Sequence, residues 1–166
     1  MEMNTKYLTE ERKYREILNL NPFNADAHYN FGNVLFAEEK FEEAEKAYAE
    51  AIRINPKFAD AHNAMGKLLQ TYAEKPRVKY LTEWNSEIIL PDPKKFSEAE
   101  KNFAEAESEY RKAISIEENF AEAYEMLGAV LLKTKKTGEG LRCFDRAVFL
   151  KPELREEIEE IKRGMM

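Results

Sequence analysis

Three side chains of this sequence belong to the types that most often bind metals or act as nucleophiles. They are His28, His62 and Cys143, the only histidines and the only cysteine in the chain. Zinc sites place such ligands at short, regular spacings, as in HExxH or paired CxxC motifs. The three residues here are far apart, and no Ser–His–Asp set, Cys–His set or glycine-rich phosphate loop accompanies them. We therefore expect no metal, no cofactor and no enzymatic activity.

The composition is that of an acidic, mostly helical protein. Of its 166 residues 35% are charged and 43% hydrophobic, and the net charge is −6 at pH 7. Phosphate contacts need a basic stripe, which is lacking, so we expect no nucleic-acid partner. No apolar run approaches the ~20 residues that span a membrane. The N-terminus has no apolar signal core, and a lone cysteine suits a reducing compartment, so we expect a cytoplasmic protein without membrane contact.

One segment recurs along the chain. "ADAHYNFGNVLF", which begins at Ala25, returns as "ADAHNAMGKLL" at Ala59, 34 residues later, and as "AEAYEMLGAVLL" at Ala121. The segment that follows, "FEEAEKAYAEAIRINPKF" (41–58), returns as "FAEAESEYRKAISIEENF" (103–120) and more loosely near the C-terminus. A fixed period of this length indicates a small structural unit that buries its apolar face by stacking on its neighbours.

The residue pattern within each unit predicts two helices. In the first half, His28, Phe31 and Leu35 fall three or four residues apart and form one apolar face. Pro56 closes the second half, because proline is disfavoured beyond a helix's first turn. A glycine recurs at one phase of the first helices, as Gly32, Gly66 and Gly128. Glycine inside a helix costs about 1 kcal/mol relative to alanine, so we expect a second helix to cross there too closely for a Cβ.

The spacing resembles the tetratricopeptide repeat. The first full unit matches it at His28, Phe31, Gly32, Leu35, Ala44, Tyr48, Ala51 and Pro56. The third unit matches it at Tyr124, Leu127, Gly128, Leu131, Gly140, Phe144, Ala147 and Pro152. The departures are histidine in the aromatic slot of two units, which the resemblance makes a packing position, and glycine for alanine at Gly140. The resemblance implies an all-α fold, an α-solenoid of stacked antiparallel helix pairs with a C-terminal capping helix.

The pattern predicts a single domain over residues 1–166. Its parts are an N-terminal half-repeat or cap at 1–24, repeats at 25–58, 59–120 and 121–152, and a capping helix at 153–166. Thr9, with Glu10 and Glu11 behind it, has the composition of a helix N-terminus. The last segment places Ile158 and Ile161 on one face and charges elsewhere, as a solvated final helix does.

In the resembling family the first helix of each unit lines the concave surface of the solenoid, where extended ligands bind. The helix faces turned away from the packing residues carry the candidate groove residues Tyr29, Asn33, Phe36, Asn63, Lys67, Gln70 and Glu125. Aromatic rings beside amides that can pair with a peptide backbone favour an extended peptide or a helix of a partner protein. Because their phase puts Tyr29, Asn33, Asn63 and Lys67 off the packing face, we expect these four to contribute to binding and little to stability.

Two observations narrow the chemical class of the partner segment. The same faces carry acids, including Asp26, Asp60 and Glu122, which favour a neutral or basic segment. Chaperone-binding members of the family hold a C-terminal carboxylate with cations at slots that here include Glu122 and Met126, so we expect no carboxylate clamp.

The middle unit carries an insertion at about residues 74–102. Phe41 maps to Phe103 at a distance of 62 residues instead of 34. Pro93 predicts the start of a long second helix, which leaves about 74–92 as a lobe. Its apolar residues include Tyr80, Trp84, Ile88 and Ile89. They either pack on the lengthened helix or form a patch through which a homodimer assembles, and self-association is therefore the alternative function.

Overall fold

The structure is a computed structural model that describes the backbone of residues 2–82 and 93–164 and the side chains of residues 9–74 and 97–164. Within these ranges the secondary structure is helical, and no strand occurs. The helices are α1 (Glu2–Leu20), α2 (Ala25–Ala37), α3 (Phe41–Ile54), α4 (Ala59–Thr82), α5 (Pro93–Ile116), α6 (Ala121–Lys133), α7 (Thr137–Leu150) and α8 (Arg155–Arg163), with a 3₁₀ turn at Pro152–Leu154 before the last. The predicted all-α class is confirmed.

The helices pack in consecutive pairs. The closest packing is within the pairs α2 with α3, α4 with α5 and α6 with α7, and the second helix of each pair also contacts the first helix of the next. α1 packs on α2, and α8 and the 3₁₀ turn pack on α7. This order, in which each unit touches only its neighbours, is the α-solenoid that the repeat pattern predicts.

Tight turns join the two helices in the first and third pairs. The amide of Lys40 donates to the carbonyl of Leu35 at 2.9 Å, and the amide of Lys136 donates to that of Leu131 at 2.8 Å. These bonds close each helix over a single left-handed residue, Glu39 (φ 60°) or Lys135 (φ 63°). Neither is a glycine, so both turns carry some backbone strain.

The core explains the recurring glycines. Tyr48, Tyr110 and Phe144, one from each second helix, are fully buried, and their rings lie directly over Gly32, Gly66 and Gly128. The predicted close crossing is confirmed, and the group that occupies the space of the missing Cβ is an aromatic ring. The small residues of the second helices, such as Ala44 and Ala106, are also fully buried and bring the helices near enough for this contact.

The insertion lengthens both helices of the middle pair. α5 begins at Pro93, as expected, and has 24 residues against 14 in α3. α4 also has 24 residues and continues to Thr82, so residues 74–82 are helical and not part of a lobe. Buried Ala73, Ala99 and Phe103 show that the extended helices pack on each other beyond the usual end of a unit.

The two ends of the solenoid differ in how well they were predicted. α1 begins at Glu2, so Thr9 lies inside the helix and the expected start at Thr9 is wrong. A capping residue such as Thr9 permits a helix to begin there but does not require it. The residues before Thr9 are compatible with a helix, so the helix begins earlier. At the other end, Ile158 of α8 is fully buried in a cluster with Phe144 and Ala147, as a capping helix requires.

An ion network of four residues joins neighbouring units at two junctions. At the first, Glu11 of α1 accepts hydrogen bonds from Arg15 (2.7 Å) and from Lys40 (2.7 Å), and Glu43 is 3.7 Å from Arg15. The same four residue types recur 96 positions later, in the order Glu107, Arg111, Lys136 and Glu139, with the same contacts. The two junctions are therefore fastened by one repeated arrangement.

Candidate binding groove

The first helix of the first pair presents three candidate groove residues together. Tyr29, Asn33 and Phe36 are all partly exposed on α2. The Tyr29 ring centroid is 5.1 Å from that of Phe58, and the Phe36 ring meets Phe41 edge-on at 5.3 Å. Packing thus fixes the orientation of both rings while one side of each remains open.

The hydroxyls of two buried tyrosines donate hydrogen bonds to residues on this surface. Tyr48 donates to Asn33 Oδ1 at 2.9 Å, and Tyr110 donates to Gln70 Oε1 at 3.1 Å. Burial raises the pKa of each hydroxyl far above its usual range, so both remain neutral donors. The repeat pattern predicts only a packing role for Tyr48 and Tyr110, because the reach of a hydroxyl across a helix crossing depends on the crossing distance.

The Tyr48 bond changes the role expected for Asn33. Its carbonyl oxygen is used inside the protein, so Asn33 contributes to the fold as well as to the surface. Its amide NH2 donates to none of the side chains that the structure describes, and the residue is partly exposed. Asn33 can therefore still offer a donor to a ligand.

Polar contacts link the successive first helices. The Lys67 ammonium on α4 lies 5.5 Å from the Phe36 ring centroid on α2. Gln70 donates to Glu74 at 3.0 Å, and Glu74 in turn is paired with Lys133 of α6. The expected residues of α2 and α4 are thus brought onto one connected surface, which we call the groove: Tyr29, Asn33, Phe36, Asn63, Lys67 and Gln70.

Asn63 is the least satisfied residue of the groove. Its Oδ1 atom is buried and has no hydrogen-bond partner within residues 9–74 and 97–164. A buried carbonyl without a donor costs roughly 1–3 kcal/mol. Because the atom is buried, a ligand on the groove reaches it only if the Asn63 side chain turns outward.

Glu125 does not lie on this open surface. Its residue exposure is 7%, and its pKa is raised first by burial and then by the nearby carboxylates of Glu157 and Glu122. Glu157 belongs to α8, so the capping helix approaches the face of α6 on which Glu125 was expected to meet a ligand. We therefore leave Glu125 out of the groove.

The charge on the groove side is mixed. Glu122 is paired with Lys151 at 2.5 Å, and burial of neither partner is deep. Asp26 and Asp60 are exposed and make no ion pair with any side chain the structure describes. Lys67 is the exposed cation of the groove itself.

The possible interface of the insertion lies outside the described residues. Trp84, Ile88 and Ile89 fall in the segment 83–92, and of Tyr80 only the helical backbone in α4 is described. Their role in self-association stays a prediction.

The two histidines occupy equivalent positions. Nε2 of His28 is 2.9 Å from the Pro22 carbonyl oxygen, and Nε2 of His62 is 3.1 Å from that of Pro56. Nδ1 of His62 also meets Glu109 at 2.6 Å. No three His, Cys, Asp or Glu side chains in the described part of the chain converge as metal ligands would.

The helices give no sign of a membrane span. In the ranges that the structure describes, none combines the length and the apolar character needed to cross a bilayer.

Comparisons with known proteins agree with this geometry. Residues 32–71 match the family described as TPR repeat. A search of curated proteins gives no match. Among solved structures, the chain is similar to a thermophilic TPR protein, TTC0263, from Thermus thermophilus, at 13% identity and a TM-score of 0.75, over 98% of this chain and 76% of that one.

Two further structures are similar over most of the chain. The first TPR of Spaghetti (RPAP3), solved bound to the HSP90 peptide SRMEEVD, has 20% identity and a TM-score of 0.60, over 85% of this chain and 92% of that one. MamA has 19% identity and a TM-score of 0.62 over 88% of this chain, which spans 64% of the MamA chain, less than two thirds. Residues 32–71 thus match the TPR repeat, and the described helices have the solenoid fold of the TPR structures to which the chain is similar.

Proposed function

We propose that this chain is a non-enzymatic interaction module that binds an extended peptide or a helix of a partner protein in the groove. The observation that carries the proposal is the unused hydrogen-bonding capacity of the groove amides. The Asn33 amide hydrogens lack an acceptor within the described residues, and the buried Asn63 Oδ1, which lacks a donor, would gain one if its side chain turned toward the ligand. A peptide backbone supplies both groups at regular intervals.

The rings beside these amides add a second type of contact. Tyr29 and Phe36 are held by aromatic neighbours, so binding costs little side-chain entropy there. The ligand would lay apolar side chains on these rings while its backbone meets the amides.

The charges favour a neutral or basic segment. Asp26 and Asp60 are exposed without an ion pair among the described residues, whereas Lys67 is partly engaged with the Phe36 ring. The similar Spaghetti domain binds an acidic peptide. In this chain the slots that would hold its carboxylate lack the cations, so we propose that SRMEEVD is not a ligand.

Selection from a displayed peptide library tests the proposal. We expect selected peptides to be apolar and neutral or basic, and to lose most of their affinity in the double variant Tyr29→Ala, Asn63→Ala. Lys101→Ala is the matched control, because Lys101 is exposed on α5. Peptides that bind the double variant as tightly as they bind the Lys101→Ala control would contradict the proposed site. Displacement of the selected peptides by SRMEEVD would contradict it as well.

The alternative function is self-association through the insertion around Trp84. Solution mass over a range of concentrations tests it, because a dimer that Trp84→Ala abolishes while helicity is kept would support an assembly role. A strict monomer at all concentrations would remove it.

A further inference from the structure

An open cleft of about 460 Å³ lies between α1, α2 and α3, away from the groove. Its apolar floor is formed by Leu18, Phe31, Leu35 and Ala47. His28 and Lys46 are polar residues at its wall. His28, Phe31 and Leu35 form one face of α2, and the groove residues Tyr29, Asn33 and Phe36 lie on another, so the two surfaces do not overlap.

The equivalent space in the middle unit is filled by a carboxylate. Glu109 stands 62 residues after Ala47, the offset between the second helices, and His62 stands 34 residues after His28. There the Glu109 carboxylate lies 2.6 Å from His62 Nδ1 and 2.6 Å from Lys112 Nζ. The chain thus shows in its own second unit which group fits between these helices.

The third unit has different residues at these positions. Tyr124 stands where the histidine does, and the guanidinium of Arg146 lies 6.0 Å from the centre of its ring. In the first unit the small residue Ala47 stands at this position and lines the open cleft.

The first cleft keeps the ring orientation that the carboxylate needs. His28 Nε2 faces the Pro22 carbonyl just as His62 Nε2 faces that of Pro56. Nδ1 of His28 makes no hydrogen bond to a side chain that the structure describes, although the Glu50 carboxylate interacts electrostatically with the ring. A carboxylate at Nδ1 is met by a hydrogen only when the ring carries both protons, so a bound carboxylate would hold His28 as an imidazolium.

The charges at the cleft leave one cation available. The acids Glu43 and Glu50 also line it, and each is held by an arginine, Glu43 by Arg15 at 3.7 Å and Glu50 by Arg53 at 2.5 Å. Lys46 makes no ion pair with any described side chain. It can therefore neutralise an incoming carboxylate.

Exposed apolar side chains flank the same turn. Leu20 is 89% exposed and Phe23 is 71% exposed, on either side of the Pro22 whose carbonyl holds His28. They are two of the three large hydrophobic residues that are strongly exposed in the described part of the chain. Exposed apolar side chains next to a cleft that carries charged groups favour a protein partner over a small solute.

We propose that this α1–α3 cleft is a second interaction site, which receives a glutamate side chain of a partner protein. His28 Nδ1 and Lys46 Nζ hold the carboxylate in the place that Glu109 occupies in the middle unit. Leu20 and Phe23 contact apolar residues beside that glutamate. The proposal does not depend on the groove being a binding site.

The presence of only two histidines makes a direct test possible by NMR of the imidazole nitrogens. The probes are the peptides Ac-Leu-Glu-Leu-NH2 and Ac-Leu-Gln-Leu-NH2, which differ only in the carboxylate. We expect the glutamate peptide to shift the His28 ring signals saturably toward the imidazolium values and the glutamine peptide to bind at least about tenfold more weakly. The His62 signals, whose Nδ1 is already occupied, should not move.

Two variants and a control complete the test. Ala47→Glu places the carboxylate of the middle unit into the first cleft, so it should give His28 a ring spectrum like that of His62 and abolish peptide binding. Lys46→Gln should weaken binding roughly fivefold, as loss of an exposed charge pair does. Lys135→Gln is the control, because Lys135 is exposed on a distant turn.

The proposal is overturned if the glutamate peptide leaves the His28 signals unmoved at millimolar concentration, or if both peptides shift them equally. Intact binding by a folded Ala47→Glu variant would also overturn it. Should that variant fail to fold, Lys46→Gln decides, because an unchanged affinity there contradicts the assignment.

Discussion

Tyr48 lies across Gly32 so closely that a Cβ placed on the glycine would be 2.5 Å from Cε1 of the ring. The same relationship joins Gly66 to Tyr110, at 2.8 Å. Each tyrosine is buried and cannot swing away without opening the core. One contact therefore sets the distance between the two helices of a unit.

We expect Gly32→Ala and Gly66→Ala to destabilise the protein by about 1–3 kcal/mol, the usual cost of overpacking a core. The gain of about 1 kcal/mol in helix propensity offsets only part of it. Gly138→Ala is the matched control, because nothing lies within 4 Å of a Cβ there. Urea unfolding measures all three, and a Gly32→Ala variant as stable as the parent would contradict the stacking geometry.

Asn33 should be more important for stability than an ordinary surface residue. Asn33→Ala removes the acceptor of the buried Tyr48 hydroxyl, and we expect a loss of about 1–2 kcal/mol. Lys67→Ala, on the same surface, should change stability by no more than about 0.5 kcal/mol. In a Tyr48→Phe background the Asn33→Ala loss should shrink, and equal losses in both backgrounds would show that the bond contributes nothing.

Much of this architecture can be read from local patterns. The glycine phase and the apolar spacing predict α2, α3, α6 and α7 because one helical face must meet a neighbour. The extension of α4 to Thr82 was missed because Pro76, which lies inside it, normally signals the end of a helix. The burial of Glu125 could not be predicted, since it depends on how the neighbouring helices pack around α6.

The groove and the cleft also differ in how far the sequence alone predicts them. The groove residues were predicted from the helical face alone. The cleft depends on comparing units side by side, and the sequence does contain its signal, which is alanine at position 47 where the next unit has Glu109. The signal becomes readable once His62 and Glu109 are seen in contact.

The strained turns offer a stabilising change. Lys135 has a positive φ of 63°, a conformation that costs a side-chain-bearing residue roughly 1–2 kcal/mol. We expect Lys135→Gly to raise the unfolding free energy by about 0.5–1 kcal/mol, since glycine adopts this conformation without that cost but loses more entropy on folding. Lys135→Ala keeps the Cβ and should give no gain. Thermal unfolding that ranks alanine above glycine would contradict the left-handed turn.

Glu11 should make stability depend on pH in the acid range. Its hydrogen bonds from Lys40 and Arg15 lower its pKa from 4.5 to about 2. A carboxyl whose folded pKa is depressed adds stability above its unfolded pKa and loses it as the pH falls through the folded value. We therefore expect Glu11→Gln to cost about 1 kcal/mol at pH 7, since its partners are half exposed, and to flatten the loss between pH 4.5 and 2.

Glu16→Gln is the control for this prediction. Glu16 also pairs with an arginine of α1, Arg12, but both side chains are mostly exposed. The Glu16→Gln variant should leave the acid unfolding curve unchanged. Equal effects of Glu16→Gln and Glu11→Gln would show that the junction network adds no more stability than an exposed ion pair.

Glu125 should act with the opposite sign at higher pH. Burial, Glu157 and Glu122 raise its pKa above 4.5, so ionising it costs the folded state free energy as the pH rises through the raised value. Glu125→Gln should therefore stabilise the protein at pH 7 to 8, by about 1 kcal/mol, and give no gain at pH 4, where the unfolded carboxyl is also largely protonated. Glu157→Gln removes one of the repelling charges and should reproduce part of the gain, whereas Glu156→Gln, exposed on the same helix, should not. Chemical denaturation of these variants at the two pH values measures the difference, and a Glu125→Gln variant less stable than the parent at pH 8 would mean that the ionised carboxylate has a favourable partner.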